Sequence, residues 1–280
     1  MRIGAHFSIA GSIDRAVDRA VERKCETFQI FTRNPRGWKF KPLDEEEAED
    51  FVRKVRESKI DPAVSHMPYL PNLASHDKVI YKKSVETLIA ELDRAGRLGI
   101  RYVVTHLGSH MGAGTEVGLK QIVDACNKAL FAVQNDVQLL LENTAGTKNS
   151  MGGSFEDMQR IIDGVDQRGR VGICYDTCHG FAAGYDLRTP EQLEMTLGQL
   201  DAVIGMDRLK VVHLNDSKGK LGSRIDRHEH IGLGHIGNKG FRTILHNGLI
   251  RKLPLILETP IDTRRNDEWN LRKVRQLSSS

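Results

Sequence analysis

Eight short apolar runs recur along this chain, and amphipathic segments and loops separate each run from the next. Within a run the apolar residues are nearly continuous, as in strands that are buried on both faces of a parallel sheet. Many of these residues are β-branched, which is typical of strands. The runs occupy residues 2–8, 27–34, 61–69, 101–110, 137–146, 170–179, 209–218 and 253–260.

The segments between the runs have the periodicity of amphipathic helices. Ile13, Val17 and Val21 fall on one stripe of the first such segment, and Ser154 is a helix-capping residue in front of the fifth. Helices are therefore predicted over residues 12–24, 44–59, 84–99, 117–133 and 154–164.

Eight strands that alternate with helices in a chain of 280 residues predict an α/β fold, the (β/α)8 or TIM barrel. An open, doubly wound sheet is the alternative fold. It usually carries a G-x-G-x-x-G phosphate loop after the first strand, whereas the segment GAHFSIAGS has glycine only at positions 4 and 11. We expect a single TIM-barrel domain over residues 1–280, with the last few residues frayed.

The composition is that of a globular protein, with 39% hydrophobic residues and no apolar stretch close to the ~20 residues of a membrane span. The first residues lack the apolar core of a secretory signal. The four cysteines are too few and too scattered for a disulfide framework, so we expect buried thiols. A cytoplasmic protein is predicted, or a nuclear one in a eukaryote. The net charge of +4 permits an anionic partner such as DNA without requiring one.

The end of the predicted strand within each run is informative, because the carboxyl ends of all eight strands meet on one face of such a barrel. Seven of the eight strands end on His, Asp or Glu, although the chain has only 11 His and 37 acidic residues among 280. The strand in the run over 27–34 is the exception and ends at Thr32 or Asn34. The seven end residues are His6, His66, His106, Glu142, Asp176, His213 and Glu258.

A lone His or Glu at a strand end is more often a hydrogen-bonding or capping group than a ligand, but the set as a whole favours a metal site. Several carboxylates on one barrel face, with no lysine at any strand end, would repel one another where the dielectric constant is reduced. A multivalent cation removes that repulsion. Mixed His and carboxylate ligands suit Zn²⁺ best; Mn²⁺ and Fe²⁺ also fit, and Mg²⁺ and Ca²⁺ fit less well.

A second group of ligand-type residues lies in the long loop after the seventh run. Asp226 and His228 are spaced i and i+2, which directs both side chains to the same side of an extended backbone. Together with His179, three residues after Asp176, they could hold one further metal ion. A solvated polar loop explains the same residues equally well, and the spacing alone does not decide between the two.

Long motifs in both halves of the chain closely resemble the endonuclease IV family of apurinic/apyrimidinic endonucleases. The resemblance extends from about residue 2 to about residue 272. In the N-terminal half it rests on GAHFS (4–8), FTRNPRGW (31–38) and HMPYLPNLAS (66–75). In the C-terminal half it rests on ENTAG (142–146), YDTCHGFAAGYDLRTP (175–190), HLNDSKGKLGSRIDRHEHIGLGHIG (213–237) and PLILETP (254–260).

The resemblance implies a TIM barrel that carries three zinc ions, with Mn²⁺ or Fe²⁺ as substitutes. It also implies that Glu142 and Glu258 are catalytic, with Glu142 bridging two of the ions. The implied ligands are His66, His106 and Glu142 for the first ion, Glu142, Asp176, His213 and Glu258 for the second, and His179, Asp226 and His228 for the third.

The activity that the resemblance implies is DNA repair: hydrolysis of the phosphodiester 5′ to an abasic site in double-stranded DNA, leaving a 3′-hydroxyl. Removal of blocking groups from 3′ ends, as a phosphodiesterase or phosphatase, is the related activity. Metals bridged by Glu142 would lower the pKa of a shared water, and the third metal would stabilise the departing 3′-oxygen. The reaction needs no nucleotide cofactor, and a nucleoid-associated monomer without a membrane partner is expected.

Recognition of DNA is expected from loops at the barrel mouth. The family motifs place Arg36, Tyr69 and Leu70 at the lesion, where a Tyr-Leu pair can wedge into the base stack. Basic residues in the loops expected on this face would contact phosphates. They are Arg33, Arg36, Lys39, Lys148, Lys218, Lys220, Arg224 and Arg227.

Two other functions are compatible with parts of this pattern. A metal-dependent sugar isomerase or epimerase resembling xylose isomerase would share the barrel and a His–carboxylate metal pair, but has no use for Asp226, His228 or a Tyr-Leu wedge. A non-catalytic DNA-lesion binder with structural zinc would need closed four-ligand shells, which are often rich in thiolates. Three metal ions per chain would favour the nuclease over the isomerase, which would hold one or two. Cleavage of a lesion-containing duplex would favour the nuclease over the non-catalytic binder.

Overall fold

Parallel strands close into a barrel in the computed structural model of this protein, which describes residues 1–279. The barrel order is β1-β10-β7-β6-β5-β4-β3-β2, while β8 and β9 pair separately as an antiparallel hairpin. The (β/α)8 prediction is therefore confirmed. The strands are β1 (Arg2–Phe7), β2 (Phe28–Ile30), β3 (Ala63–His66), β4 (Tyr102–Thr105), β5 (Gln138–Glu142), β6 (Val171–Asp176), β7 (Leu209–His213), β8 (Asp216–Ser217), β9 (His228–Glu229) and β10 (Pro254–Leu257).

Helices surround the barrel, and several of them begin at the polar caps that their sequences offer. Asp44, Asp77, Ser154 and Thr189 each accept a hydrogen bond from a backbone N–H of the first helical turn. The helices are α1 (Arg15–Glu22), α2 (Glu45–Ser58), α3 (Lys78–Arg97), α4 (Thr115–Ala132), α5 (Phe155–Gly164), α6 (Thr177–Ala183), α7 (Pro190–Val203), α8 (Gly237–His246) and α9 (Asp267–Ser279). Among residues 1–279, none of these helices is long and apolar enough to cross a membrane.

The interior of the barrel holds a small apolar layer that is separate from the larger core between strands and helices. Six strands each contribute one fully buried side chain to this layer. On each of these strands the next inward-facing position lies two residues further along, toward the carboxyl end of the barrel. Because the layer lies beneath those positions, we call it the floor layer. The floor layer consists of Val64, Val104, Leu140, Cys174, Val211 and Ile256.

The strands are shorter than the apolar runs, α3 begins six residues earlier than predicted, and two further differences concern the site and the chain end. The strand predicted over 170–179 ends at Asp176, because the Asp176 carboxylate accepts a hydrogen bond from the His179 N–H at 2.8 Å and so caps α6. His179 therefore lies in the first turn of a helix. The chain end expected to be frayed is helical up to Ser279, where Leu277 is buried, and Ser280 lies outside the described residues.

Candidate metal centre

The nine residues assigned as ligands from the sequence converge on the carboxyl end of the barrel. Six of them stand two residues after a member of the floor layer, which places their side chains inside the barrel and above that layer. The other three come from the start of α6 and from the segment that enters β9. The six are His66, His106, Glu142, Asp176, His213 and Glu258.

Glu142 lies at the centre of this arrangement and is fully buried. Its Oε2 is 3.1 Å from His66 Nε2 and 3.0 Å from His106 Nε2. Its Oε1 is 3.0 Å from His213 Nδ1 and 3.4 Å from His179 Nδ1. Each of the two Glu142 oxygens thus lies beside a different pair of histidine nitrogens. A carboxylate that bridges two metal ions requires this arrangement.

Three groups of potential ligand atoms share this space, and within each group the atoms lie within 4.8 Å of one another. They coincide with the three sets that the sequence assigned, although their roles as ligands remain predictions. The groups are His66, His106 and Glu142; Glu142, Asp176, His213 and Glu258; and His179, Asp226 and His228.

Cys178 also lies within that distance of Asp176 and His228. Its Sγ is 3.6 Å from the Arg227 carbonyl oxygen, and burial raises the pKa of the thiol to about 12. A neutral thiol is a poor metal ligand, since thiolate is the coordinating form. Cys178 therefore packs beside the third group, and Cys174 packs in the floor layer.

Hydrogen bonds fix the tautomers of three of these imidazoles. His66 Nδ1 is 2.7 Å from the Met67 carbonyl oxygen, and His179 Nδ1 is 2.9 Å from the Asn143 carbonyl oxygen. His228 Nδ1 is 3.0 Å from the Glu258 carbonyl oxygen. Because a carbonyl oxygen only accepts, each Nδ1 carries a proton, and Nε2 is the nitrogen that a metal ion can bind. His228 Nε2 is buried without a hydrogen-bond partner, as expected for a metal ligand.

The electrostatics of the site also fit a cation. Burial raises the pKa of the Glu142 carboxyl, but His106 and His213 outweigh this effect and hold the pKa well below its usual range. Burial lowers the pKa of His179, whereas Asp176, Asp226 and Glu142 raise it well above its ordinary value. Glu142 is thus ionised, the carboxylates around His179 attract a proton onto its imidazole, and a bound divalent cation would replace that proton. The donor set and its charge therefore fit zinc-type metals.

A cavity of about 430 Å³ opens above the three groups. Tyr69 lines this cavity and is 60% exposed, and the neighbouring Leu70 is 39% exposed. The Tyr69 N–H donates to the Pro35 carbonyl oxygen at 3.1 Å, which ties this loop to the loop that carries the exposed Arg36. The three residues predicted to contact DNA therefore lie on two loops that a hydrogen bond joins, and Tyr69 lines the cavity.

The structure overturns one of the predicted phosphate contacts. Arg33 is only 4% exposed, its Nε is 2.8 Å from Glu91 Oε1, and its guanidinium stacks 4.1 Å from the centre of the Phe40 ring. It holds the β2–α2 loop in place and is not available to DNA. The other seven predicted basic residues are exposed: Arg36, Lys39, Lys148, Lys218, Lys220, Arg224 and Arg227.

The ligands are held by polar residues that the sequence interpretation missed. Asn143 Oδ1 accepts from the Asp176 N–H at 2.6 Å, and Asn215 Nδ2 donates to Asp176 Oδ2 at 2.7 Å. Asn215 Oδ1 also accepts from the Glu258 N–H at 2.8 Å. A signal was present, because each asparagine stands one or two residues after a ligand at a strand end, where a buried amide needs partners.

The barrel and its metal-capable face define the class of protein. A family model described as xylose isomerase-like TIM barrel matches residues 17–277 of this chain. A D-tagatose 3-epimerase-like protein shares the fold with a TM-score of 0.72 at 19% identity, covering 100% of this chain and 96% of that protein. The chain is thus a TIM barrel of the xylose isomerase-like class.

Closer relatives define the family. A probable endonuclease 4 of Methanoculleus marisnigri is 59% identical over 279 residues, and one of Nitrosopumilus maritimus is 50% identical over 280, with at least 99% of each chain covered. The crystal structure of endonuclease IV from Thermus thermophilus has a TM-score of 0.89 at 37% identity, covering 100% of this chain and 99% of that one. This chain belongs to the endonuclease IV family of apurinic/apyrimidinic endonucleases, as its motifs predict.

Proposed function

We propose that this protein acts in DNA repair by hydrolysing the phosphodiester 5′ to an abasic site in double-stranded DNA, leaving a 3′-hydroxyl. The observation that carries the proposal is that three ligand groups, two of which share Glu142, lie beneath a cavity that the exposed Tyr69 lines, with Leu70 exposed next to it in the chain. A sugar isomerase has no use for the third group or for these two exposed side chains.

Three zinc ions are the proposed cofactors, one for each ligand group, with Mn²⁺ or Fe²⁺ as substitutes because mixed imidazole and carboxylate donors accept all three metals. When bound, such ions lower the pKa of a water molecule and neutralise the charge of a phosphodiester. The buried, unpartnered Nε2 of His228 and the bridging position of Glu142 support this assignment.

Glu142 and Glu258 are the proposed catalytic residues, because both belong to a group that would hold a metal ion, and Glu142 belongs to two such groups. Both carboxyl groups have a pKa well below the usual range, since nearby imidazoles outweigh the effect of burial. Each therefore offers negative charge at neutral pH. His213 lies between them, with its Nδ1 at 3.0 Å from Glu142 Oε1 and 3.2 Å from Glu258 Oε2.

Recognition of the lesion is assigned to two exposed side chains. Tyr69 and Leu70 would enter the base stack, and the energy needed for unstacking is lowest where a base is already missing. Tyr69 is braced from behind by the Phe31 ring, at a centroid distance of 5.0 Å, so that it can act as a rigid wedge. Arg36 and the other exposed basic residues would contact the phosphates on either side.

The same cavity would accept a blocked 3′ end. A 3′-phosphate or 3′-sugar fragment presents a phosphoester without the downstream strand, so the residues that act on the internal bond can also act there. We therefore propose 3′-phosphodiesterase and 3′-phosphatase activity as well. We further propose that the protein works as a monomer in the cytoplasm, associated with the nucleoid, since one barrel face carries the whole site.

The test is a cleavage assay on a duplex that contains one abasic site. We expect the purified protein to nick this duplex without added nucleotide, and prolonged chelation to abolish the activity. The double variant Tyr69→Ala/Leu70→Ala should raise KM for the abasic duplex, whereas the control Val79→Ala, at an exposed site on α3, should not. An uncut abasic strand at micromolar enzyme, with metals confirmed in the preparation, would refute the proposal.

A further inference from the structure

Gln29 is a buried amide in the middle of β2, between the apolar residues Phe28 and Ile30. Its side chain lies among three polar groups of the candidate site. Nε2 is 2.6 Å from Glu258 Oε1 and 3.0 Å from His6 Nδ1, and Oε1 is 2.9 Å from His213 Nε2. Both hydrogens of the Gln29 NH₂ and its amide oxygen therefore have hydrogen-bond partners, as a fully buried amide requires.

The partners determine how the amide is oriented. The ionised Glu258 carboxylate only accepts hydrogen bonds, so the group that faces it must be the Gln29 NH₂. The Gln29 oxygen therefore faces His213, and since this oxygen only accepts, His213 Nε2 must carry a proton. The nitrogen of His213 that can bind a metal is then Nδ1, the atom at 3.0 Å from Glu142 Oε1.

His213 differs in this respect from the three imidazoles that backbone carbonyls orient. His66, His179 and His228 have Nδ1 bonded to a carbonyl, and no substitution of a side chain removes that acceptor. The orientation of His213 depends instead on one side chain. The Gln29 amide also donates to Glu258, so one side chain holds both His213 and Glu258, two predicted ligands of the same group.

We propose that Gln29 is a positioning residue of the candidate metal centre, which fixes His213 as an Nδ1 ligand and holds the Glu258 carboxylate. The inference rests on the metal binding that the proposed function includes. Residues that support ligands in this way typically contribute about 10- to 100-fold to metal affinity. Gln29 also donates to His6 Nδ1, which leaves the proton of His6 on Nε2 at the cavity wall.

The experiment compares Gln29→Met with the matched control Gln138→Met. Methionine has nearly the same length as glutamine but neither donates nor accepts strongly. Gln138 is also a strand glutamine, but it starts β5, and its amide donates to the Gly169 carbonyl oxygen, far from the ligand end of the strand. Zinc retained by each protein is measured by elemental analysis after dialysis against a series of chelator concentrations, and thermal unfolding is recorded for the metal-free forms.

We expect Gln29→Met to release zinc at chelator concentrations about tenfold lower or more, while Gln138→Met matches the wild type. In abasic-duplex cleavage, kcat should fall with KM unchanged, because Gln29 does not contact the DNA-facing rim. A purely structural role would lower the unfolding temperature of the metal-free protein and leave zinc retention unchanged, and that result would overturn the proposal.

A measurement on the wild type keeps the inference testable if Gln29→Met does not fold. In the zinc-loaded protein with ¹⁵N-labelled histidine, the NMR spectrum should show the His213 and His6 rings protonated at Nε2, with His213 assigned through His213→Gln. A His213 ring protonated at Nδ1 would refute the inference. A wild type that does not cut abasic DNA, combined with weakened zinc retention in Gln29→Met, would reject the proposed function and leave this inference standing.

Discussion

At the scale of single residues, the site consists of carboxylates and of five candidate-ligand imidazoles, four of which have a ring nitrogen held by a neighbouring carbonyl or amide oxygen. The backbone carbonyls of Met67, Asn143 and Glu258 direct three of them, and the Gln29 amide directs His213. The free nitrogens and carboxylate oxygens are thereby oriented for cations before any cation arrives. This preorganisation lowers the reorganisation that metal binding requires.

Glu142 is the residue whose loss should be most damaging. Glu142→Gln keeps the shape of the side chain but removes its charge and presents an NH₂ where an oxygen now faces His66 and His106. We expect a folded protein whose abasic-duplex cleavage is lower by several orders of magnitude and which retains less zinc. Glu116→Gln, at an exposed position that pairs only with Arg160, is the control and should remain active. A fully active Glu142→Gln would mean that Glu142 is not the bridge.

The cysteines give a pH-dependent prediction. Burial raises the pKa of the Cys126 and Cys174 thiols to about 12 and that of Cys25 to about 11. Because thiolate is the reactive form, these thiols stay protonated and unreactive until the pH approaches the raised pKa. At about pH 8 we expect iodoacetamide to leave all four cysteines of the native protein unmodified and to label all four after unfolding, as counted by intact mass. Rapid labelling of the native protein would show that the interior around at least one of these thiols opens.

At the scale of elements, alternation along the strands explains why so much of the site could be predicted from the sequence. Once a run is a barrel strand, side chains two residues apart point inward together, and the last inward position faces the site. The end residues Glu142 and His213 follow Leu140 and Val211 in this way. The contribution of the strand over 28–30 to the site was not predicted, because its inward residue, Gln29, is not a usual metal ligand.

Supports of the ligands were harder to predict, because they depend on contacts between distant parts of the chain. Gln29 and Glu258 are 229 residues apart, and no local pattern links them. The end of β6 was misplaced because Asp176 serves two purposes, as a predicted ligand and as the cap of α6. For α7, Thr189 followed by Pro190 was a usable start signal, since Thr is a good cap and Pro is favoured at the first helical position.

The hairpin of β8 and β9 brings Asp226 and His228 to the third ligand group, and Asp216 holds the loop that follows it. This fully buried carboxylate accepts from five backbone N–H groups, at distances of 2.8–3.4 Å. Four of them lie in one short segment after β9. The donors are those of Ser217, Gly232, Gly234, Ile236 and Gly237.

Asp216→Asn should therefore destabilise the protein. An amide has one accepting oxygen, and its NH₂ would face backbone donors that are left unpaired, at a cost of roughly 3 kcal/mol or more. We expect denaturant unfolding to report this loss, and elemental analysis to report metal loss from the third group. The exposed control Asp136→Asn should match the wild type in both measurements. If Asp216→Asn is as stable as the wild type, the Asp216 carboxylate does not hold the loop after β9.

At the scale of the whole molecule, one end of the barrel carries every feature that the function needs. The floor layer closes the interior, the ligand groups lie above it, and Tyr69 lines the cavity over them, with Leu70 exposed next to it in the chain. The net charge of +4 would not by itself indicate a DNA-binding protein. What matters is where the basic side chains lie, and burial of Arg33 against Glu91 is a detail that no count of charges could predict.

The central claim is that these nine residues hold three metal ions, two of them bridged by Glu142. The most direct test is a crystal structure of the metal-loaded protein with anomalous diffraction recorded on both sides of the zinc absorption edge. We expect three anomalous peaks, one at each ligand group, with Glu142 contacting two of them and His213 bound through Nδ1. A single peak, or peaks that the nine residues do not contact, would show that these residues do not hold three ions.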